Sequence, residues 1–286
     1  MKRHYFLLSL IIFSCSSGQE KEEYKNAVIL ETIVLPKIIN ETSGLEILNE
    51  VFITHNDSGG EPSLYFFNLN AEIINSIKLE EESIWEIYNN DWEDITADKD
   101  YIFIADTGNN FGNRDNLNII KLRTSDFSIE GKIEISYEDQ KTFLPRPKHK
   151  YDAEALFLIE DKIAVLSKDR SNLFTDLYLI DKESNLKQAL ESKITYNVNS
   201  LITGGDYNKD ISLLALVSYN SNGNQFLILF EDFNLENLSE KKFRKFKIPL
   251  ERAQIEAVKI IDNDTFWITS EDEGIGSPYM YKIKVE

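Results

Sequence analysis

The stretch Asp91-Trp92-Glu93-Asp94-Ile95, continued by Tyr101-Ile102-Phe103-Ile104-Ala105 and Asp106-Thr107-Gly108-Asn109-Asn110, carries the pattern on which the fold turns. A carboxylate stands just ahead of one short strand, a second strand rich in β-formers follows, and an Asp/Gly/Asn turn ends it. The same order recurs along the chain. Ser43-Gly44-Leu45 leads into Val51-Phe52-Ile53-Thr54 and His55-Asn56-Asp57-Ser58-Gly59. Glu154-Ala155-Leu156 leads into Ile163-Ala164-Val165-Leu166 and Ser167-Lys168-Asp169-Arg170. Thr203-Gly204-Gly205 precedes Val217-Ser218-Tyr219-Asn220, and Glu256-Ala257-Val258 precedes Thr265-Phe266-Trp267-Ile268-Thr269 and Ser270-Glu271.

Five such units at a spacing of about 50 residues point to a repeat architecture. Each unit supplies a third strand, at Leu64–Leu69, Leu117–Leu122, Leu177–Ile180, Phe226–Phe230 and Tyr279–Val285. The first four add a fourth, near Ile73–Leu79, Lys132–Tyr137, Leu186–Tyr196 and Lys242–Pro249. Four antiparallel strands per unit make a propeller blade. The expectation is an all-β, five-bladed β-propeller over residues 27–286. The fifth unit runs out after three strands, and the alternating segment Val28–Leu35 is free to supply its outer strand and close the ring, which removes the open edges. A β-sandwich with accidental similarity between units, or a sixth blade within residues 185–225, would read in much the same way.

Ahead of this body, Met1-Lys2-Arg3-His4 is basic and Tyr5–Phe13 is an apolar run broken only by Ser9. The run is too short to span a bilayer and fits the hydrophobic part of a secretory signal, residues 1–14. Ile12-Phe13-Ser14-Cys15 resembles a bacterial lipobox, which implies acylation of Cys15 and cleavage before it. Cys15 is the only cysteine, so the domain folds without disulfides. Residues 15–26 read as a polar, flexible tether. The expected location is the bacterial envelope, lipid-anchored to the outer membrane. Lys21-Glu22-Glu23 resembles the signal that sends some lipoproteins to the cell surface, and a charged linker gives the same letters. Without residues 1–14, 29 basic side chains face 49 acidic ones, a net charge of −20. That field repels phosphate backbones and excludes nucleic acid as a partner.

The position that repeats most sharply is the carboxylate before the innermost strand: Glu93, Glu154 and Glu256, with Ser43 and Thr203 standing there in units one and four. In a propeller these positions converge on the central channel. Asp57, Asp106, Asp169 and Glu271, at the neighbouring strand ends, would form a second ring. Carboxylates gathered this way need protons, basic partners or a cation. Hard oxygen donors suit calcium, and Glu93, Glu154 and Glu256 are its candidate ligands. The same residues could instead accept backbone hydrogen bonds and hold adjacent blades in register.

Together with Glu41-Thr42-Ser43-Gly44-Leu45, Tyr151-Asp152-Ala153-Glu154 and Gln254-Ile255-Glu256, these motifs resemble those of bacterial secreted and lipoprotein β-propellers, similar to phytase-like and SdiA-regulated propeller proteins. The resemblance spans most of Glu41–Glu286. Phytase-like propellers imply calcium and phosphate-ester hydrolysis, with basic residues set against phosphate. Here Lys168 and Arg170 are the best candidates for that role, and ordinary surface charge explains them equally. His55, at a channel-facing strand end, could act as a general base or be a loop histidine without a role. Trp92 packs between blades or lines a pocket beside Glu93. The mature chain would keep His55 and His149 only, which argues against zinc.

Two functional expectations follow. One is a binding or scaffold lipoprotein taking a small-molecule, glycan or protein ligand through an acidic, calcium-binding central face, with Asp57, Asp106, His55, Trp92 and Glu271 at the ligand. The other is a calcium-dependent hydrolase of phosphate esters, carboxylic esters or lactones.

Overall fold

The computed structural model describes residues 24–79, 87–184, 186–240, 242–250, 253–271 and 276–286. The signal segment, Cys15 and most of the tether lie outside the described residues. Among the described residues no helix is long and apolar enough to cross a membrane.

Short runs such as Ile163-Ala164-Val165-Leu166 are apolar at every position, because both faces of each sheet are buried. Alternate side chains go opposite ways: Ile163 and Val165 pack towards blade two, Ala164 and Leu166 towards blade four. The result is five small sheets arranged in a ring, a five-bladed β-propeller. From the axis outward, blade one is Thr42–Leu48, Val51–Asn56, Ser63–Phe67 and Ile73–Lys78. Blade two is Ile95–Ala97, Tyr101–Asp106, Asn118–Arg123 and Ile129–Tyr137. Blade three is Ala153–Ile159, Lys162–Ser167, Phe174–Asp181 and Ile194–Asn197. Blade four is Leu201–Asn208, Leu213–Tyr219, Gln225–Phe230 and Phe243–Ile248. Blade five takes Ile255–Ile260, Thr265–Ser270 and Tyr279–Lys284 from the end of the chain and Val28–Val34 from its start. Val28 pairs with Lys284 and Val34 with Tyr279, antiparallel, so the ring closes as the alternation of that segment predicts.

Five hydrophobic clusters fill the five seams between blades. Trp92 and Ile53 anchor the seam between blades one and two. Trp267, edge-on to Phe52 at 5.8 Å, anchors the one between blades five and one. No single core exists; stability is distributed round the ring.

Two expectations need correction. Leu186–Tyr196 is not one outer strand. Gln188–Leu190 crosses to blade two and pairs in parallel with Ile135–Tyr137, and only Ile194–Asn197 completes blade three. The segment around 185–225 therefore hides no sixth blade. The first backbone pairing also comes earlier than residue 27: Lys25 and Asn26, read as tether, pair in parallel with Phe246 and Lys247 of blade four.

Candidate functional site

The register of the two inner strands builds the site. At the same end of four blades an N–H one residue past the second strand, or two past it in blade two, is donated to a carbonyl ahead of the first strand. These pairs are Asp57 to Glu41 (2.8 Å), Gly108 to Asp91 (3.2 Å), Lys168 to Asp152 (2.6 Å) and Glu271 to Gln254 (3.0 Å). Tyr219 faces Leu201 in blade four. One step on, the register slips at Ala153/Ala155, Ile202/Gly204 and Ile255/Ala257, passing over Glu154, Thr203 and Glu256. Such bulges leave one residue out of the ladder and re-aim its side chain. In blade one Ser43 stays in register with His55, and the slip comes just after it, over Gly44 and Leu45. The bulges re-aim Glu154, Thr203 and Glu256, and Glu93 neighbours Glu154 as Glu154 neighbours Glu256 at one axial mouth.

The hydroxyls at this position are staples: Ser43 Oγ donates to Glu93 O at 2.5 Å and Thr203 Oγ1 to Ile255 O at 2.6 Å, each on the next blade. Asp94 staples across three blades, accepting from Ile95 N, Leu156 N (2.9 Å) and Gly205 N (3.1 Å). Asp106 is also committed to structure, held by Arg114 (2.8 Å), Asn90 (2.8 Å) and Asn118 (3.0 Å). Asp169 accepts from Ser171 N and Asn172 within its own turn.

Blade three neutralises itself. Glu154 is ion-paired to Lys168 and lies 3.5 Å from Arg170, whose Nη2 and Nε reach Asp152 at 2.9 and 3.1 Å. Burial works against the Lys168 charge, but the Glu154 and Glu256 carboxylates hold its pKa above the ordinary lysine value.

The remaining acids have no such partner. Among the described residues no cation pairs with Asp57, Asp91, Glu93, Glu256 or Glu271. Burial, reinforced by the charges of Asp91 and Glu41, pushes the Asp57 carboxyl up to about 7. Burial and Asp152 push Asp91 up to about 6. Burial and then Glu154 raise Glu93 well above the carboxylate range. Burial carries Glu256 and Glu271 up to about 8, with Glu271 adding to the first and Asp57 to the second. Asp57 Oδ1 and Glu256 Oε1 are buried without any hydrogen-bond partner.

Carboxylate oxygens of Asp57, Asp91 and Glu93 lie within 4.8 Å of one another, as do those of Glu93, Asp152 and Glu154. The second set is already engaged by Lys168 and Arg170, so the first is the one that fits a cation. A Cβ at Gly108 would collide with Glu93 Oε1 and the Asp91 carboxyl. A side chain at that ring position would fill the space the cluster occupies. Oxygen donors alone, three of them carboxylates, fit a hard cation such as calcium.

The structure thus divides the sequence-predicted ligands. Glu93 belongs to the open cluster, Glu154 to the self-neutralised one, and Glu256 to neither. Asp57 and Glu271 stand at the mouth, half-exposed. His55 does not: it is 0% exposed, edge-on to Trp92 at 5.5 Å, with Nδ1 3.1 Å from Asn56 O. Burial drives its pKa down to about 4, so the ring is neutral. Trp92 is fully buried in its seam, its Nε1 donating to Tyr88 O at 3.2 Å. Sequence reasoning missed Asp91, Asp152, Asp94 and Gly108. The first two were readable from a repeated acid two residues ahead of two of the three glutamates, Asp91-Trp92-Glu93 and Asp152-Ala153-Glu154.

No protein-family model and no curated protein matches the chain. Solved structures do match in fold. A luciferin-regenerating enzyme is 10% identical over 91% of this chain and 96% of its own, with a TM-score of 0.46. A chain of a mitotic checkpoint complex is 11% identical over 99% of both chains, with a TM-score of 0.49. A glucose-dehydrogenase-type oxidoreductase from Thermus thermophilus is 7% identical over 88% of this chain and 99% of its own, with a TM-score of 0.47. At such distance the likeness is one of architecture and says nothing of chemistry.

Proposed function

We propose that this protein is a lipid-anchored binding propeller of the bacterial envelope whose axial mouth holds a calcium ion at Asp57, Asp91 and Glu93. The observation that carries the reading is three carboxylates within 4.8 Å of one another, without a paired cation and over a glycine. Left empty, the cluster must take up protons; a divalent ion does the same work at neutral pH. Calcium takes six to eight oxygens, so three side chains leave positions for water or for an oxygen of a small-molecule, glycan or protein ligand. For the hydrolase reading His55 is not an accessible base, because it is sealed in the blade seam.

Thermal melts in calcium and in chelator, on the full-length protein and on Glu93→Gln, test the site. At a hundredfold excess over Kd, calcium should stabilise the parent by about 2.7 kcal/mol, a rise of about 5–10 °C, and should do little for the variant. A parent indifferent to calcium, or a variant that responds as the parent does, would retire the site.

A further inference from the structure

Blade three and blade five present the same three ring positions, alike at the glutamate and exchanged at the other two. In blade three they are Asp152, Glu154 and Lys168; in blade five they are Gln254, Glu256 and Glu271. Where blade three places an ammonium group beside its glutamate, blade five places a second carboxylate. Glu256 is 4% exposed, is turned to the axis by its bulge, and its Oε1 has no hydrogen-bond partner. Asp57, on the adjoining blade, offers a second orphaned oxygen, Oδ1. Glu256, Glu271 and Asp57 are mutual electrostatic neighbours, yet they do not converge tightly enough to count among the groups that could hold a bare ion. Lys168, the cation next to Glu256, is committed to Glu154 and lies over the Tyr219 ring.

We infer that Glu256, Glu271 and Asp57 form a subsite for a primary ammonium group brought by the ligand, filling in blade five the role that Lys168 fills in blade three. An ammonium has three N–H donors and keeps each oxygen about 2.9 Å away, against about 2.4 Å for calcium, so it suits a wider set of acceptors. Two of those acceptors lack partners in the folded chain, and a buried acceptor left unmade is costly. Asp57 and Glu271 are half-exposed and leave the group a way in from solvent. A quaternary ammonium carries the charge but no N–H, and the subsite should refuse it. The inference rests on the reading of the mouth as a ligand site; the subsite borders the calcium position at Asp57, while Glu256 and Glu271 belong to the subsite alone.

The test uses the full-length protein in detergent, with n-butylammonium, tetramethylammonium and N-acetyl-lysine methylamide as probes, read by thermal shift and by titration calorimetry. The two primary ammonium probes should each raise the melting temperature, tetramethylammonium should not, and Glu256→Gln should lose at least tenfold in affinity. Glu271→Gln, at a more exposed position, should lose affinity as well and covers the case in which the first variant folds poorly. Tighter binding of the lysine derivative assigns the ammonium to a protein side chain; tighter binding of butylammonium assigns it to a small amine. No response to either probe, an equal response to tetramethylammonium, or amine binding unchanged in both variants would overturn the subsite. A calcium response lost in Glu93→Gln while amine binding persists separates the two bound cations, with Asp57 the one side chain that faces both. Amine binding without any calcium response would sink the calcium position alone.

Discussion

Without calcium or amine, the protein should lose stability as the pH rises from 6.5 to 8.5. Glu256 and Glu271 start from an ordinary value of 4.5 and stand at about 8 in the fold, so folding draws protons onto them. Their contribution is fully present below 4.5 and is lost as the pH climbs through 8. His55 runs the other way. Its folded value of about 4 lies below the ordinary 6.5, so its contribution is complete above 6.5 and is lost as the pH falls towards 4. Above pH 6.5 the histidine is silent and the slope belongs to the carboxylates. Between pH 6.5 and 8 each glutamate forfeits at most about 2 kcal/mol, at about 1.4 kcal/mol per pH step. The two repel one another, so part of that energy is shared and the pair accounts for on the order of 3 kcal/mol. Asp57, half titrated at about pH 7, adds a smaller amount of the same sign. For a domain of this size the melting temperature should fall by about 6–12 °C. Melting curves at half-unit pH steps in chelator and an amine-free buffer read this directly, and the double variant Glu256→Gln, Glu271→Gln should flatten them. A parent whose melting temperature holds level or rises across that window refutes the reasoning, since buried unpaired carboxylates could not then be present.

Asp94→Ala should strip the inter-blade amides of Leu156 and Gly205 of their acceptor and cost about 2–6 kcal/mol. The urea midpoint and faster exchange at those two amides check it, and a loss below about 1 kcal/mol would show that Asp94 does not staple the ring. Cys15→Ala should move the protein from the membrane fraction to the soluble one, because acyl chains would be its strong anchor. A variant that still sediments with membranes after a salt wash counts against lipidation.

The blade count was legible because a propeller repeats its punctuation. Strand, turn and carboxylate return together, and both-face burial allows unbroken apolar runs within inner strands, as at Ile163–Leu166. The closing strand was legible from the alternation of Val28–Leu35 and from the missing fourth strand of the last unit. Leu186–Tyr196 misled because polar outer strands carry little pattern, and nothing local distinguishes a strand that stays in its blade from one that crosses to the next. At the site, the recurring glutamates identified the right ring but not their partners. Lys168 lies one position past the second strand, and only the register reveals that it meets Glu154. Gly108 matters through what it omits, and Asp106 carries the same letter as Asp57 with its oxygens already taken. His55 read as polar and exposed from its neighbours Asn56 and Asp57, yet it ends a strand whose side chains are sealed by Trp92.

An early strand of the chain is paired late. Val28–Val34 leaves a ribosome or a translocation pore more than two hundred residues before Tyr279–Lys284 exists to receive it. Through that interval the nascent chain can assemble blades one to four, each from neighbouring segments, but it cannot become a ring. Commitment to the native state is therefore deferred to the end of synthesis. A contact between the two extremities of a chain is also among the slowest to form. Were the chain exported as the proposed function has it, the delay would be useful: the topology itself would keep the ring of blades unlocked until Tyr279–Lys284 had come through.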